Sequence, residues 1–172
     1  MYRTFPYIVL FVVVALLQVF LLNNLTISVY LNPLVYIAFI ILLPIETPPV
    51  VVLFCALLTG VTMDWTMGVP GLNTLATLPA AMLRRPILAS IAGKETLREG
   101  GVPSVERLGR NVFPRYVIAM VLIQHFLFFA FESLSWAHIL HTFLRLVASS
   151  AVTIAFVWLL ARFFLSKFTM RK

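Results

Sequence analysis

The chain has 172 residues, of which 62% are apolar and only 11% are charged, and its formal net charge is +7. Soluble domains carry about 45–50% apolar and about 25% charged residues, so this composition excludes an ordinary soluble domain and indicates an integral membrane protein. The basic residues lie in loops and at helix ends, with no basic stripe, which argues against binding of nucleic acid.

The first predicted span is the apolar run from Phe5 to Leu22. It is long for the apolar region of a cleaved signal peptide, so we expect it to be a retained helix. The second predicted span is ambiguous, because Leu34 to Leu43 is too short to cross a hydrocarbon core about 30 Å thick. Only the longer segment 25–43 has the length of a crossing, at the cost of a kink at Pro33.

The third predicted span covers about 50–66 and begins after prolines that suit a first helical turn. The fourth covers about 70–85 and ends on Arg84 and Arg85, whose side chains we expect to reach the membrane surface. Residues 93–115 form the one hydrophilic segment, which is basic and interrupted by glycines, and we expect a loop there.

The last two predicted spans cover about 116–132 and 137–165, so residues 1–172 form one all-α membrane domain with six spans. If the N-terminus lies in the cytoplasm, all of the 13 Lys and Arg residues except Arg145 fall on the cytoplasmic side. This agrees with the positive-inside rule. It also requires the second segment to cross, and it places the C-terminus and loop 93–115 in the cytoplasm.

Three charged residues, Asp64, Glu132 and Arg145, fall near the outer ends of predicted helices. Because ionisable groups near hydrocarbon usually find a partner, we expect an ion pair of Arg145 with Asp64 or with Glu132, or else contact with headgroups and water. His138 and His141 share a helix face with Arg145. With Glu132 they could form a polar patch for a partner, but an ordinary interfacial face is the favoured interpretation. Two histidines without a third firm ligand are a weak metal site.

Two further polar residues, Gln124 and His125, lie in the middle of the fifth span, where they can hydrogen-bond between helices or line a ligand cavity. The chain contains no phosphate-binding glycine loop, nucleophile elbow or zinc-protease motif. We therefore expect a protein that is not an enzyme and that needs no cofactor or metal.

A motif extends from the second to the fourth predicted span. It consists of Leu43-Pro44-Ile45-Glu46-Thr47-Pro48, then Gly60 and Asp64 near the end of span three, Gly68 and Gly71 in the turn, and Arg84 at the end of span four. In this motif, in its length and in its basic loop, the chain resembles the family of rod shape-determining protein MreD. Where that family often has a histidine after the turn, this chain has Asn73 and Thr74.

The resemblance implies a non-enzymatic scaffold of the bacterial inner membrane that takes part in cell elongation. Implied partners are MreC, the MreB filament, and RodA with its class B penicillin-binding protein. The family is similar in fold to the substrate-binding (S) subunits of energy-coupling-factor transporters. A vitamin-binding transport subunit is therefore the alternative function, and it would need several polar groups converging on one cavity.

Overall fold

The computed structural model describes residues 5–22, 32–133 and 139–168, and every regular element within them is helical. Three stretches, Pro49–Met67, Val112–Glu132 and Leu140–Phe164, are long and apolar enough to cross a membrane, and Phe5–Phe20 is a shorter apolar helix. The elements in chain order are α1 (Phe5–Leu16) with a π-helical continuation (Leu17–Leu22), α2 (Ile37–Leu42), α3 (Pro49–Met67), α4 (Leu72–Ala92), α5 (Lys94–Glu99), α6 (Val105–Leu108), α7 (Val112–Glu132) and α8 (Ile139–Phe168).

The centre of the fold is the segment 34–43, which contains the short helix α2. All ten of its residues are buried, and none is more than 7% exposed. Gln18, in the π-helical turn, donates to the Pro33 carbonyl oxygen (3.0 Å) and accepts from the Val35 amide (2.8 Å). These bonds satisfy backbone groups that no helix satisfies, which is necessary in an interior without water.

The continuous helical span expected over 25–43 is therefore absent from residues 32–43, the part of it that the structure describes. Residues 32–36 are not helical, and α2 has only six residues, while 25–31 lie outside the described residues. A physical reason is Pro33, which lacks an amide and disfavours helical geometry at the residue before it. The amide of that residue, Asn32, instead donates to the Ser149 hydroxyl oxygen of α8 (2.9 Å).

Helix α4 is longer than expected, since it runs through Pro86 and ends at Ala92 instead of Arg85. One proline removes a single helical hydrogen bond. The turn after Pro86 still packs against the core, since Leu88 is buried, and this packing keeps the helix continuous. The helix ends at Gly93, which has a φ of +87° and whose amide donates to the Ala89 carbonyl. The expected loop over 93–115 contains the short helices α5 and α6 and the first turn of α7.

Candidate functional site

The resemblance motif assembles around the α3–α4 hairpin, which we define as residues 49–92. Gly60 of α3 lies against the backbone of Thr74 in α4. A Cβ atom at this position would lie 2.6 Å from the Thr74 Cα atom, closer than any real contact. Glycine at this position therefore allows the backbone of α4 to lie against α3.

Asp64, one turn further along α3, binds the start of α4. Its Oδ1 atom accepts from the Asn73 amide (2.7 Å), and its Oδ2 atom accepts from the Thr74 amide (3.1 Å) and the Thr74 hydroxyl (2.5 Å). These amides belong to the first turn of α4, which has no internal acceptors and carries positive partial charge. Asp64 is thus a helix cap supplied by the preceding helix.

The turn of the hairpin depends on Gly68 and Gly71, whose φ angles are +67° and +79°. Both angles lie in the left-handed region, which L-residues rarely adopt. The amides of Gly68 and Val69 donate to the Asp64 carbonyl and close the end of α3. We call the group Gly60, Asp64, Gly68, Gly71, Asn73 and Thr74 the Asp64 end of the hairpin.

A buried polar layer connects the Asp64 end to the centre of the fold. The hydroxyl of Tyr36 donates to Asn73 Oδ1 (2.9 Å) and accepts from Gln124 Nε2 of α7 (2.8 Å). Thr77 is also buried, and its hydroxyl donates to the Asn73 carbonyl (2.6 Å). These bonds join α4 and α7 through the segment that precedes α2.

The adjacent His125 joins α7 to α8, because its Nε2 atom lies 3.1 Å from the Thr153 hydroxyl oxygen. Its Nδ1 atom lies 3.1 Å from the Val121 carbonyl oxygen. Of the two alternatives considered for Gln124 and His125, His125 forms a hydrogen bond between helices, whereas Gln124 bonds to Tyr36 in the non-helical residues before α2. Within the described residues the Gln124 Oε1 atom is buried and has no hydrogen-bond partner.

The basic residue of the motif, Arg84, lies near the other end of the hairpin. It is only 3% exposed, so the expectation that its side chain reaches the membrane surface is wrong, whereas Arg85 is exposed. Arg84 Nη2 donates to the carbonyls of Leu43 and Pro44, and Nε donates to the Tyr116 hydroxyl (3.1 Å). A cation is favourable there, because α2 ends at Leu42 and its last carbonyls carry negative partial charge.

The Pro-rich turn after α2 is tied to the basic segment before α6. Glu46 Oε2 accepts from the Gly101 amide (2.6 Å), and the Ile45 amide donates to the Gly101 carbonyl (2.8 Å). A Cβ atom on Gly100 would lie 2.2 Å from the Glu46 carboxylate, and both glycines have positive φ. We call Glu46, Arg84, the Pro-rich turn 43–48 and residues 100–101 the Arg84 end of the hairpin.

The expected ion pair of Arg145 forms with Glu132 and not with Asp64. Arg145 Nη1 lies 3.1 Å from Glu132 Oε2, and the guanidinium also lies over the Phe129 ring at 5.1 Å. Asp64 is engaged by α4 instead. His141 is exposed and His138 lies outside the described residues. In the described part of the chain, no three potential ligands from His, Cys, Asp or Glu are grouped to hold a metal ion.

Four residues not predicted from the sequence form hydrogen bonds here: Gln18, Tyr36, Asn73 and Tyr116. A usable signal existed, because a Tyr or Gln inside an apolar run must hydrogen-bond when it is buried. The partners themselves come from other helices and are not visible in the chain order.

No protein-family model matches this chain, and neither does any curated protein or solved structure.

Proposed function

We propose that the protein is a non-enzymatic membrane scaffold of the rod-shape machinery of a bacterial inner membrane. In this proposal it binds MreC, and it links the MreB filament to RodA and its class B penicillin-binding protein. The chain would cross six times, with both termini in the cytoplasm and a fold similar to that of energy-coupling-factor S subunits. The motif quoted above and the placement of the basic residues support this assignment.

The observation that carries the proposal is how the motif residues are used. Asp64 binds the start of α4, Arg84 binds the end of the α2 region, and Glu46 binds residue 101. Each of these side chains joins two segments of the same bundle. A motif used in this way specifies a rigid shape, which is what a scaffold must present to its partners.

The rigid hairpin presents a helix-sized apolar face. On α3 the exposed residues Val51, Phe54, Leu58, Val61 and Trp65 follow one another at spacings of three and four. This spacing forms the seam of a left-handed helix pair. We therefore propose this face of α3 as the docking site for the single transmembrane helix of MreC. Because lipid is as apolar as the face itself, close packing would drive the association.

The basic segment 93–115 supports the cytoplasmic part of the proposal. Its two short helices are connected by Arg107, which donates to the Gly100 carbonyl (3.0 Å) and pairs with Glu99 (3.3 Å). Four other bases of this segment, Lys94, Arg98, Arg110 and Arg115, form no ion pair among the described residues. They would meet anionic lipid or the MreB filament.

A transport subunit is the alternative, and the unpartnered Gln124 Oε1 atom is the one buried feature described above that favours it. The other polar groups of that layer, on Tyr36, Asn73 and Thr77, bind one another. A vitamin would have to displace these bonds, which is costly when the donors are left unsatisfied. The scaffold is therefore the better-supported function.

Co-expression with MreC tests the proposal. We expect tagged protein to co-purify MreC, and a vitamin panel to leave the thermal unfolding temperature unchanged. Phe54→Ala combined with Leu58→Ala should reduce the MreC recovered, while the matched pair Leu144→Ala and Val147→Ala, exposed on α8, should not. A thermal shift with one vitamin and no recovery of MreC would establish the transport function instead.

A further inference from the structure

A cavity of about 160 Å³ lies beside the Arg84 end of the hairpin. It is partly open and is bordered by the Pro-rich turn 43–48, the first turns of α3, the stretch of α4 around Arg84 and Arg85, and α5. Most of its walls are apolar, and the polar or charged exceptions are Thr47, Arg84 and Arg85. This volume has room for several water molecules, each of which takes about 30 Å³ in the liquid.

Arg84 brings to this cavity a buried charge that forms no ion pair with any described residue. All six acidic residues of the chain are described, and none lies within ion-pairing distance of Arg84. Arg84 donates through Nε and Nη2 to a hydroxyl and two carbonyls, but its Nη1 atom forms no hydrogen bond to any described residue. A buried ion that lacks a charged partner is costly, because carbonyl dipoles replace its hydration only in part.

Two further features add positive potential at the same place. Arg85 follows Arg84 directly and lines the cavity from its exposed side. The first residues of α3, Pro49 and Val52, also line it, so the positive end of a 19-residue helix lies close by. The Glu46 carboxylate lies at the same end of the hairpin, but it accepts from the Gly101 amide and does not line the cavity. The three positive contributions exceed this one negative charge and make the cavity attractive to an anion.

We propose that this cavity binds the phosphate group of an anionic phospholipid, held by Arg84 and Arg85. The planar guanidinium suits phosphate, because it can direct two donors at one anion. The apolar rim selects a lipid over a soluble anion. Leu53 and Met82, apolar lining residues that are not buried, would be left against water by inorganic phosphate, whereas the glycerol backbone and acyl chain of a lipid lying along the open side would cover them. This inference goes beyond the scaffold function and does not depend on it.

Binding is measured on the full chain, delipidated in dodecyl maltoside, by native mass spectrometry with added phosphatidylglycerol. We expect one tightly bound lipid, with weaker binding of zwitterionic phosphatidylcholine and no competition from millimolar inorganic phosphate. Because Arg84 also holds the fold, the test uses Arg85→Ala and Leu53→Trp. The first removes a charged donor and the second fills the cavity. Arg85→Ala should weaken binding about tenfold or more, as expected for the loss of one charged hydrogen bond.

Two matched controls make the test specific. Arg98→Ala removes the same charge from α5 at an exposed position that does not line the cavity, and Leu57→Trp adds the same bulk one turn along α3. Both should retain the affinity of the parent protein. Equal losses in Arg85→Ala and Arg98→Ala would show non-specific attraction and overturn the proposal. Equal binding of phosphatidylcholine, or displacement by inorganic phosphate, would overturn it as well.

Discussion

Each end of the α3–α4 hairpin holds a charged side chain against backbone groups. Only at the Asp64 end do the surrounding groups balance the charge of that side chain. At the Asp64 end, three donors surround the carboxylate, and the start of α4 supplies the opposite partial charge. At the Arg84 end, the guanidinium is bound on one side by carbonyls and a hydroxyl, while Nη1 forms no hydrogen bond to the described residues and the residue lines a cavity.

The difference separates two uses of a fixed charge. The Asp64 carboxylate is half-buried and receives three donors from the start of α4, out of about four acceptor sites, so it serves mainly to hold the hairpin together. A guanidinium with donors left over holds the fold and can still bind an anion. Removing each charge should therefore have different consequences for stability and for ligand binding.

The largest expected effect is that of Arg84→Leu. It leaves two carbonyls and the Tyr116 hydroxyl without their donor, so we expect a loss of about 3 kcal/mol or more in the free energy of unfolding. Arg84→Lys keeps the charge but cannot direct donors at the carbonyls and at the Tyr116 hydroxyl together. Its free energy of unfolding should therefore lie between those of the parent protein and Arg84→Leu. Unfolding in mixed dodecyl maltoside and SDS micelles measures these values.

Adding phosphatidylglycerol to the micelles should increase the difference in stability between the parent protein and Arg84→Leu. Lipid that binds the folded state stabilises the parent protein, so the gap between parent and Arg84→Leu should widen. An Arg84→Leu variant as stable as the parent, with or without lipid, would contradict the role given to this residue.

The next effect is that of Gly60→Ala, which tests the close approach on which the Asp64 end depends. The added methyl meets the Thr74 backbone, which cannot move aside as a flexible side chain would, so α3 and α4 must separate. We expect a loss of about 1–3 kcal/mol by the same assay. The control is Val61→Ala, which shortens an exposed side chain at the next position and should change stability little. Equal stability of the two variants would mean that the helices separate without cost.

The smallest effect of the three is that of Asp64→Ala, which should cost about 1–2 kcal/mol because the cap of α4 is lost. Asp64→Asn keeps an acceptor for the Asn73 amide but loses the charge, so it should recover part of this loss. If the scaffold proposal holds, Asp64→Ala should also reduce the MreC recovered in co-purification. A variant with unchanged stability and partner recovery would show that the cap adds nothing to the hairpin.

Apolar runs were the reliable signal in this sequence. The third, fifth and sixth predicted spans correspond to α3, α7 and α8 with ends that differ by a few residues. Their length and hydropathy are local properties, so the chain order is enough to find them. The Glu132–Arg145 pair was also among the expected pairs, because charges near helix ends have few partners from which to choose.

Chain order is a poor guide where the structure depends on contacts between distant segments. Segment 34–43 looks like part of a span, yet its geometry is set by Gln18 and by helices that enclose it on all sides. Arg84 looks like a residue at a helix end, but the carbonyls that bind it lie about 40 residues earlier. Pro86 looks like a helix end, and packing of the following turn overrides it.

The hydrogen bonds between residues 45–46 and Gly101 have a mechanical consequence. They fasten the basic segment to the turn that leads directly into α3, so the segment is not a loose tether. A force applied to α5 or α6 would reach the hairpin through two short bonds rather than be absorbed by slack in the chain. The protein can therefore transmit a pulling force on its basic segment to its apolar helices.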